Sequence, residues 1–348
     1  MKLWKTIICI ALALALSLSL VACGGESSKV TLNVLNWGDY IDPELLRQFE
    51  DETGISVKYT TMTSNEEMLV KLASKDNIYD VCFPSDYLIE KLVADDLLYA
   101  INKENIPNLK NIDPRFMDLS FDPGNTYSVP YMWGTVGILY NTTMVSDPVD
   151  SWNILWDEKY AGQILMYDSM RDTIGITLKK LGMDINTRSE ADVLAAQEAL
   201  IAQKPLVRAY LTDDIKMELI NGSAAMGVVY SGDAVYCISE NPDLAYAVPQ
   251  EGSNVWFDNI IIPKSSQHTA EAEQFINFLC DAQVAAQNSD YIGFSTPNAE
   301  ALKLMDPSYA EDPTYNPPQD VLDRCQIFQD LGDFVKVFSD AWTKVKAA

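Results

Sequence analysis

The sequence has very little histidine and lacks several common catalytic motifs. It has one histidine, His268, which lies in a polar stretch beside Ser265 and Ser266 and is expected to be solvated. It contains no G-x-x-x-x-G-K-[ST], G-x-G-x-x-G or G-x-S-x-G motif, so no phosphate-binding loop or nucleophile elbow is recognisable. A pair of carboxylates could still serve a glycoside hydrolase, and that alternative stays open.

Cysteine is also scarce, with six residues in 348. Beyond the N-terminal apolar segment, four remain, all in apolar strings and without C-x-x-C spacing: Cys82, Cys237, Cys280 and Cys325. With a single histidine, this distribution argues against a zinc site and against a Cys/His nucleophile. An exported chain could form disulfides, but the apolar neighbours favour buried free thiols.

Basic residues are half as frequent as acidic ones, 25 against 50, which gives a formal net charge of -25. Such a chain is a poor partner for nucleic acid, whose phosphates require a basic surface. An acidic field would attract cations, although solubility alone would also explain the charge. The charge therefore excludes one class of partner and does not choose among the others.

Long apolar runs are confined to the N-terminus. MKLWK is a short basic start, TIICIALALALSLSL is apolar and LVAC follows, which predicts a secretory signal over residues 1–22, too short to span a membrane. Cys23 after LVA resembles a bacterial lipoprotein cleavage site, so we expect a lipidated Cys23 and a tether over residues 23–28. An ordinary signal with a chance cysteine is the alternative. The signal carries two lysines and no acid, so its removal lowers the formal charge from -25 to -27.

Strand and helix patterns alternate after the tether. The first predicted strands are VTLNVLNW (30–37), ISVKYTTM (55–62) and YDVCF (79–83). Between them, Asp42-Pro43 and Gly54 mark the start and the end of one helix. Ser64 and Glu67 predict a capping box for the next helix. This order predicts an α/β fold with open sheets, whose ligands bind at the carboxyl ends of the strands.

A second α/β region follows residues 127–141. It contains QILMYD (163–168), a helix through LKKLG (178–182) and a predicted strand MGVVYSGD (226–233). The isoleucines of VWFDNIII form a further strand. AEAEQFINFLCDAQVAAQ (270–287) then predicts one amphipathic helix.

An aromatic residue and an acid recur together where predicted strands end, in NWGDY, FPSDY, LMYDSMRD, VVYSGDA and VWFDN. Each pair alone has an ordinary explanation, in which the aromatic ring edges a core and the aspartate caps a helix, as Asp86 and Asp233 could. In a strand, however, Trp256 and Asp258 leave the same face while Phe257 points to the other. Five pairs at equivalent positions indicate a binding site.

Such a set suits a slender cation that has ammonium ends and a methylene middle. Ring faces cover methylenes and attract cations, at about 0.5–2 kcal/mol per contact. Carboxylates hold ammonium groups through charge-assisted hydrogen bonds of about 1.5–3 kcal/mol each. Sugars also stack on tryptophan and bond to aspartate, so the pattern leaves them open. A ferric site would require paired tyrosines and usually histidine, and fits less well.

Six segments, taken together and in order, resemble the spermidine/putrescine-binding proteins of polyamine ABC importers. They are NWGDYIDPELLRQFEDETG, YDVCFPSDY, YSVPYMWGTVGI, VVYSGDA, VWFDNIIIP and YIGFSTPN, and the resemblance runs from about residue 29 to the C-terminus. It implies a two-lobed periplasmic-binding-protein fold, each lobe an open sheet flanked by helices, with the ligand in the cleft between lobes. Residues 29–136 plus 259–303 would form the N-terminal lobe, and 137–258 plus 304–348 the C-terminal lobe.

The resemblance also implies ligand-binding residues, position by position. They are Trp37, Tyr40, Ser85, Tyr87, Asp168, Asp172, Tyr230, Asp233, Trp256, Asp258 and Tyr291. The chain departs from the family pattern where Gly38 replaces a hydroxyl residue and where Ser169, beside Asp168, stands in place of an acid. Phe294 replaces a tyrosine, with Tyr291 as a substitute nearby. A polar family position aligns with Phe328.

The resemblance implies a receptor rather than an enzyme, with no catalytic residue, cofactor or metal. Its expected partners are a polyamine and the permease subunits of an ABC importer. It would be a monomer held by its lipid on the outer face of the cytoplasmic membrane, and periplasmic if the cell has an outer membrane. The alternatives are a binding protein for a sugar or another cation, and the carboxylate-pair hydrolase.

Overall fold

The computed structural model describes residues 30–348, so the predicted signal peptide, Cys23 and the tether lie outside the described residues. The strands of the described part are β1 (Thr31–Trp37), β2 (Ser56–Met62), β3 (Val81–Cys82), β4 (Ser128–Asn141), β5 (Ile164–Tyr167), β6 (Val207–Leu211), β7 (Met226–Tyr230), β8 (Leu244–Ala247) and β9 (Val255–Ile261).

Helices separate most of these strands. The α-helices are α1 (Pro43–Thr53), α2 (Asn65–Ala73), α3 (Asp86–Ala94), α4 (Met170–Lys180), α5 (Glu190–Gln203), α6 (Ile215–Ile220), α7 (Ser231–Glu240), α8 (Thr269–Leu279), α9 (Ala282–Ile292), α10 (Ala299–Leu302), α11 (Pro307–Glu311), α12 (Gln319–Leu322) and α13 (Val335–Ala347). Short 3-10 helices cover Lys103–Asn105, Pro107–Asn111, Pro114–Phe116, Trp152–Trp156, Glu158–Tyr160, Lys204–Leu206 and Gly332–Phe334.

The strands form one continuous path in the order β2-β1-β3-β9-β4-β7-β5-β6, and β8 also pairs with β4. β4 is shared, because residues 128–135 pair with β9 whereas residues 136–140 pair with β7. We call β1, β2, β3, β9 and residues 128–135, with the helices packed on them, the first half. Residues 136–141 and β5 to β8, with their helices, are the second half. The lobe boundaries predicted from the sequence stay a prediction.

The residues predicted to start and to end the first helix do so at α1. The side chain of Asp42 accepts a hydrogen bond from the Glu44 amide at 2.8 Å, and Gly54 ends the helix with φ +73°. At α2 the capping box is only half formed. Ser64 Oγ accepts from the Glu67 amide at 3.1 Å, but the Glu67 carboxylate accepts from the Thr63 amide rather than from Ser64.

Two other predicted boundaries are wrong. The single helix predicted over residues 270–287 is two helices, because the Asp281 side chain accepts hydrogen bonds from the Gln283 and Val284 amides and starts α9 afresh. The strand predicted over residues 226–233 ends at Tyr230, where α7 begins. This early ending places Asp233 in the first turn of a helix rather than in a strand.

The four cysteines of the described region are free thiols, as the sequence predicts. Cys82, Cys237 and Cys280 are buried, and Cys325 is partly exposed. Across residues 30–348, no helix combines the length and the apolar character that a membrane crossing requires. The same region does not group three or more histidine, cysteine or acidic side chains so as to hold a metal ion.

Candidate ligand-binding site

The alternation predicted along β9 is present in the structure. The ring of Phe257 packs against Phe116 and Trp133, with ring centroids 6.1 and 6.4 Å away. Trp256 and Asp258 turn to the opposite face, where each is 7% exposed. A cavity of about 490 Å³ lies on the Phe116 and Trp133 side. It is therefore separate from the face that carries the predicted site residues.

Asp258 and Tyr40 form a hydrogen-bonded pair, which we call the first Tyr–Asp unit. The Tyr40 hydroxyl donates to Asp258 Oδ2 at 2.7 Å. Within residues 30–348, Asp258 Oδ1 has no hydrogen-bond partner. Burial raises the pKa of Asp258 to about 6, because desolvation disfavours the charged form. The Tyr40 main chain is fixed in turn, since its carbonyl accepts a hydrogen bond from the Tyr131 hydroxyl at 2.5 Å.

The second Tyr–Asp unit consists of Asp172, in the first turn of α4, and Tyr230, at the end of β7. The Tyr230 hydroxyl donates to Asp172 Oδ2 at 2.8 Å, and the Ser169 hydroxyl donates to the same oxygen at 2.6 Å. Asp172 is 6% exposed. Burial raises its pKa, and the two hydroxyl donors oppose that change. Each half of the sheet thus supplies one buried carboxylate whose hydrogen-bond donors are uncharged hydroxyls.

Four rings, which we call the aromatic row, connect the two units. They are Tyr40, Phe294, Trp256 and Tyr230, and successive ring centroids lie 5.5, 5.5 and 5.8 Å apart in edge-to-face contacts. Edge-to-face packing is the arrangement that aromatic quadrupoles favour. The indole nitrogen of Trp256 is buried and has no partner in the described part of the chain. The row of rings therefore extends from Asp258, which is bonded to Tyr40, to Asp172, which is bonded to Tyr230.

Trp37, Ser85 and Tyr87 lie beside the first unit, at the carboxyl ends of β1 and β3. Trp37 Nε1 donates to the Phe83 carbonyl at 2.9 Å. The side chain of Asn65 donates to Ser85 Oγ and to the Tyr87 hydroxyl, both at 3.0 Å. The main chain of Ser85 also forms an isolated antiparallel β-bridge with that of Asp258. These contacts hold the ends of two parallel strands against β9, the position at which open α/β sheets bind ligands.

Arg171 joins Tyr87 to the second half, a role that the sequence did not reveal. Its guanidinium carbon lies 4.4 Å from the ring centroid of Phe328 and 5.1 Å from that of Tyr87. Its NH1 and NH2 groups donate to the Gln329 carbonyl at 3.3 and 3.2 Å. Phe328, which aligns with a polar family position, is therefore part of a buried stack around an arginine.

The structure does not bring three of the predicted residues into this group. Asp168 forms an ion pair with Lys346 in α13 at 2.8 Å. Asp233 forms an ion pair with Lys216 in α6 at 3.2 Å. Tyr291 is 56% exposed on α9.

The suggestion that Tyr291 substitutes for the tyrosine missing at Phe294 needs correction. Helix α9 ends at Ile292, and Gly293 reverses the chain with φ +77°. The reversal carries Phe294 into the aromatic row, whereas Tyr291 stays on the outer surface of the helix. Phe294 fills its place with a ring that has no hydroxyl.

These features define what the site can do chemically. Both buried carboxylates accept hydrogen bonds from hydroxyls, and of the two only Asp172 feels a nearby cation, because the charge of Arg171 lowers its pKa without forming an ion pair. A buried charge is most stable when it is paired, so both carboxylates favour a cationic ligand. Ring faces between them attract cations. The arrangement suits an elongated ligand that carries a positive charge near each end and apolar atoms between.

Comparisons with known proteins identify the family of this chain. Residues 44–317 match the family model described as bacterial extracellular solute-binding protein. The chain is 35% identical to the spermidine/putrescine-binding periplasmic protein of Salmonella typhimurium, over 92% of this chain and 93% of that protein. It is similar to the solved spermidine/putrescine ABC transporter substrate-binding protein PotD of Streptococcus pneumoniae, with 38% identity, a TM-score of 0.81 and coverage of 92% and 99%. It is also similar to the TpPotD lipoprotein of Treponema pallidum, with 26% identity, a TM-score of 0.82 and coverage of 90% and 99%.

Proposed function

Because this chain belongs to the bacterial extracellular solute-binding protein family, we propose that it binds a polyamine and delivers it to the permease of an ABC importer. One observation carries the proposal: two Tyr–Asp units stand at the ends of one aromatic row. An ammonium group at each carboxylate would complete the electrostatics, and the rings would cover the methylenes between them. Polyamines have this chemical design.

The protein would act by binding alone, without turnover. Asp258 and Asp172 would hold the ammonium groups, and Tyr40, Trp256 and Tyr230 would contact the methylenes. Trp37, Ser85 and Tyr87 would border the ligand from the first half. The names of the Salmonella and Streptococcus relatives support a polyamine as the solute.

Capture would require the two halves to close on the ligand, as hinged binding proteins do. Contacts between the halves support this part of the proposal. The guanidinium of Arg171, from the second half, lies over the ring of Tyr87 in the first. The amide of Asp330 donates to Glu90 Oε2 in α3 at 2.8 Å. The lobes would comprise residues 29–136 plus 259–303 and 137–258 plus 304–348.

The same proposal places the protein outside the cytoplasmic membrane. A monomer would be held by a lipid on Cys23, with residues 23–28 as its tether and with permease subunits as its partners. The LVAC sequence at the end of the apolar segment supports lipidation, and so does the description of the Treponema relative as a lipoprotein. Radiolabelled palmitate incorporated into the wild type and not into Cys23→Ser would test the anchor.

Calorimetric titration of residues 24–348 tests the proposed solute. We expect putrescine or spermidine to bind with a micromolar or lower Kd, and a neutral sugar to give no heat. Spermine completes the series. Folded protein that binds no polyamine would contradict the proposal. Turnover of a glycoside that is abolished by Asp258→Asn would instead indicate a hydrolase that uses two carboxylates.

The affinity should depend on pH because Asp258 must be ionised to hold an ammonium group. Its pKa is raised to about 6, whereas polyamine nitrogens stay protonated through this range. We therefore expect the Kd to be nearly constant above pH 7 and to rise by about tenfold between pH 7 and pH 5. Titrations at half-unit intervals from pH 5 to pH 8 would measure the profile. A flat profile would show that the Asp258 carboxylate does not contact the ligand.

A further inference from the structure

Asn254 extends the face of β9 that carries Trp256 and Asp258, which we call the ligand face. It stands two residues before Trp256, so its side chain leaves the same face of an extended chain. Its main chain is already paired like a strand. The Asn254 carbonyl accepts a hydrogen bond from the Val136 amide at 3.1 Å, and an isolated parallel β-bridge joins Asn254 to Gln326. Asn254 is not one of the site residues predicted from the sequence.

Each of the three side chains on the ligand face has a buried polar atom without a hydrogen-bond partner in residues 30–348. These atoms are Asn254 Oδ1, Trp256 Nε1 and Asp258 Oδ1, and the three residues are 4%, 7% and 7% exposed. Buried polar groups normally have partners, and a buried acceptor without one costs free energy. Three unpaired atoms along one face of one strand indicate a site whose ligand supplies the missing partners.

The carboxylate of the second Tyr–Asp unit determines how the Asn254 amide is oriented. Burial raises the pKa of Asp172, whereas the Ser169 and Tyr230 hydroxyls, the charge of Arg171 and the Asn254 side chain lower it. A neutral amide lowers the pKa of a carboxyl group by donating a hydrogen bond to its ionised form, so the NH2 group of Asn254 faces Asp172. The Asn254 oxygen is then directed away from that carboxylate and is available to another donor.

An ammonium group held by Asp172 would need a further acceptor. A primary ammonium carries three N–H donors, and Asp172 Oδ2 already accepts hydrogen bonds from the Ser169 and Tyr230 hydroxyls. Asn254 Oδ1 is a neighbouring acceptor that has no partner in the described part of the chain. Because this oxygen is neutral, it adds a contact without the desolvation cost of a second buried carboxylate.

We propose that Asn254 is a further ligand-binding residue, whose side-chain oxygen accepts an N–H of the ammonium group that Asp172 holds. This inference rests on the proposed function and adds a specificity for the kind of nitrogen. A primary ammonium can donate to Asp172 and to Asn254 together. A dimethylated ammonium has one N–H and must leave one of these two acceptors unpaired, which opposes binding.

Replacing Asn254 with leucine tests this inference, because leucine has a similar shape and neither donates nor accepts. We expect the Kd for putrescine, measured by calorimetry at pH 7.5, to rise about tenfold from the loss of one hydrogen bond to a charged group. The Kd for N,N,N′,N′-tetramethylputrescine, measured by displacement of putrescine, should rise by less than about threefold. Asn254→Ala should give the same pattern and guards against a clash of the leucine side chain.

Asn259 provides the matched control. It lies in the same strand, is 1% exposed and also has a buried Oδ1 without a partner among residues 30–348. It leaves the opposite face of β9, where its NH2 group donates to the Phe257 carbonyl at 3.3 Å. Asn259→Leu should therefore keep the Kd for both ligands within about twofold of the wild type. An equal loss in Asn259→Leu and Asn254→Leu would overturn the inference, because affinity would then depend on the integrity of β9.

A pH series separates a contact with the ligand from an effect on Asp172. If Asn254 acts only by lowering the pKa of Asp172, the loss in Asn254→Leu should shrink as the pH rises from 6 to 8.5, because the carboxyl group becomes ionised in both proteins. A contact between Asn254 and the ligand predicts the same loss across this range. A loss that disappears at pH 8.5 would overturn the inference.

The possible results separate this inference from the proposed function. If the wild type binds no polyamine, the proposed function fails and the inference fails with it. If the wild type binds putrescine and Asn254→Leu binds it equally well, the inference alone is overturned. An equal rise in Kd for putrescine and for its tetramethyl derivative also overturns it, because the contact would then not involve an N–H group of the ligand.

Discussion

Replacing Asp258 with asparagine is expected to weaken polyamine binding about 100-fold and, at the same time, to stabilise the ligand-free protein. The loss follows from the removal of a charge-assisted hydrogen bond of about 1.5–3 kcal/mol in a water-poor site. The asparagine carbonyl can still accept the hydrogen bond that Tyr40 donates. The wall of the site should therefore survive while the charge is lost. Calorimetric titration measures the loss of affinity.

The gain in stability follows from the raised pKa of Asp258. Its carboxyl group has an ordinary pKa of 3.8, which burial raises to about 6 in the folded protein. Between these values the folded protein binds more protons than the unfolded chain. The free energy of unfolding of the wild type therefore rises as the pH falls from 7.5 toward 4, by up to about 3 kcal/mol from this group. Asparagine carries no such penalty, so the variant should be more stable than the wild type at pH 7.5 and nearly equal to it at pH 4.

Urea unfolding of the ligand-free proteins at both pH values measures this difference. Asp51→Asn is the matched control, since it makes the same chemical change on the exposed face of α1. It should alter neither the affinity nor the pH dependence of stability beyond error. If Asp258→Asn binds polyamine as tightly as the wild type does, Asp258 is not part of the binding site. If the free energy of unfolding of Asp258→Asn is lower than that of the wild type at pH 7.5, the buried carboxylate stabilises the fold rather than serving the ligand.

Adding one methyl group at Gly232 is expected to reduce affinity by about 30- to 100-fold without touching a charged residue. In Gly232→Ala the new Cβ atom would lie 2.3 Å from Phe294 Cδ1 and 2.5 Å from its Cγ, far inside contact distance. The ring cannot move freely, because it packs on Tyr40 and Trp256 with centroids 5.5 Å away. The two halves meet at this contact, so the methyl group should hold them apart.

Helix propensity makes this prediction sharper. Alanine favours a helix over glycine by up to about 1 kcal/mol, so a loss of binding would not come from a lower helix propensity of α7. Small-angle scattering with saturating putrescine should show a larger radius of gyration for the variant than for the wild type. Gly38→Ala is the control, because a Cβ atom there meets nothing within 4 Å. Wild-type affinity in Gly232→Ala would show that closure does not depend on this contact.

Much of the fold and part of the site could be predicted from local sequence. The α/β fold class and the relationship to spermidine/putrescine-binding proteins are confirmed. The opposite orientation of Phe257 and Asp258 is confirmed because the period of a strand is two residues whatever surrounds it. The cap at Asp42 is equally local. Both features depend on atoms only a few residues away.

Other features depend on partners that are distant in sequence. Asp168 and Lys346 are 178 residues apart, and the sequence around Asp168 contains no signal that predicts their ion pair. The adjacent helices α6 and α7 pair Asp233 with Lys216, but their packing cannot be seen in a linear sequence. The sequence offered Tyr291 as a substitute for the tyrosine that Phe294 replaces, because the effect of the reversal at Gly293 on which ring turns inward is not visible in the residue order. The start of α9 at Asp281 was a local signal that the long amphipathic pattern concealed.

The distribution of the two Tyr–Asp units has a consequence for signalling. One unit belongs to the first half and the other to the second, so a ligand with amines at both ends acts as a noncovalent crosslink between them. A monoamine of equal length would engage one carboxylate and leave the other without a counterion. It would therefore bind without stabilising the closed arrangement of the two halves. The permease would then receive its signal from the crosslinked state alone, and simple alkylamines would be inhibitors rather than cargo.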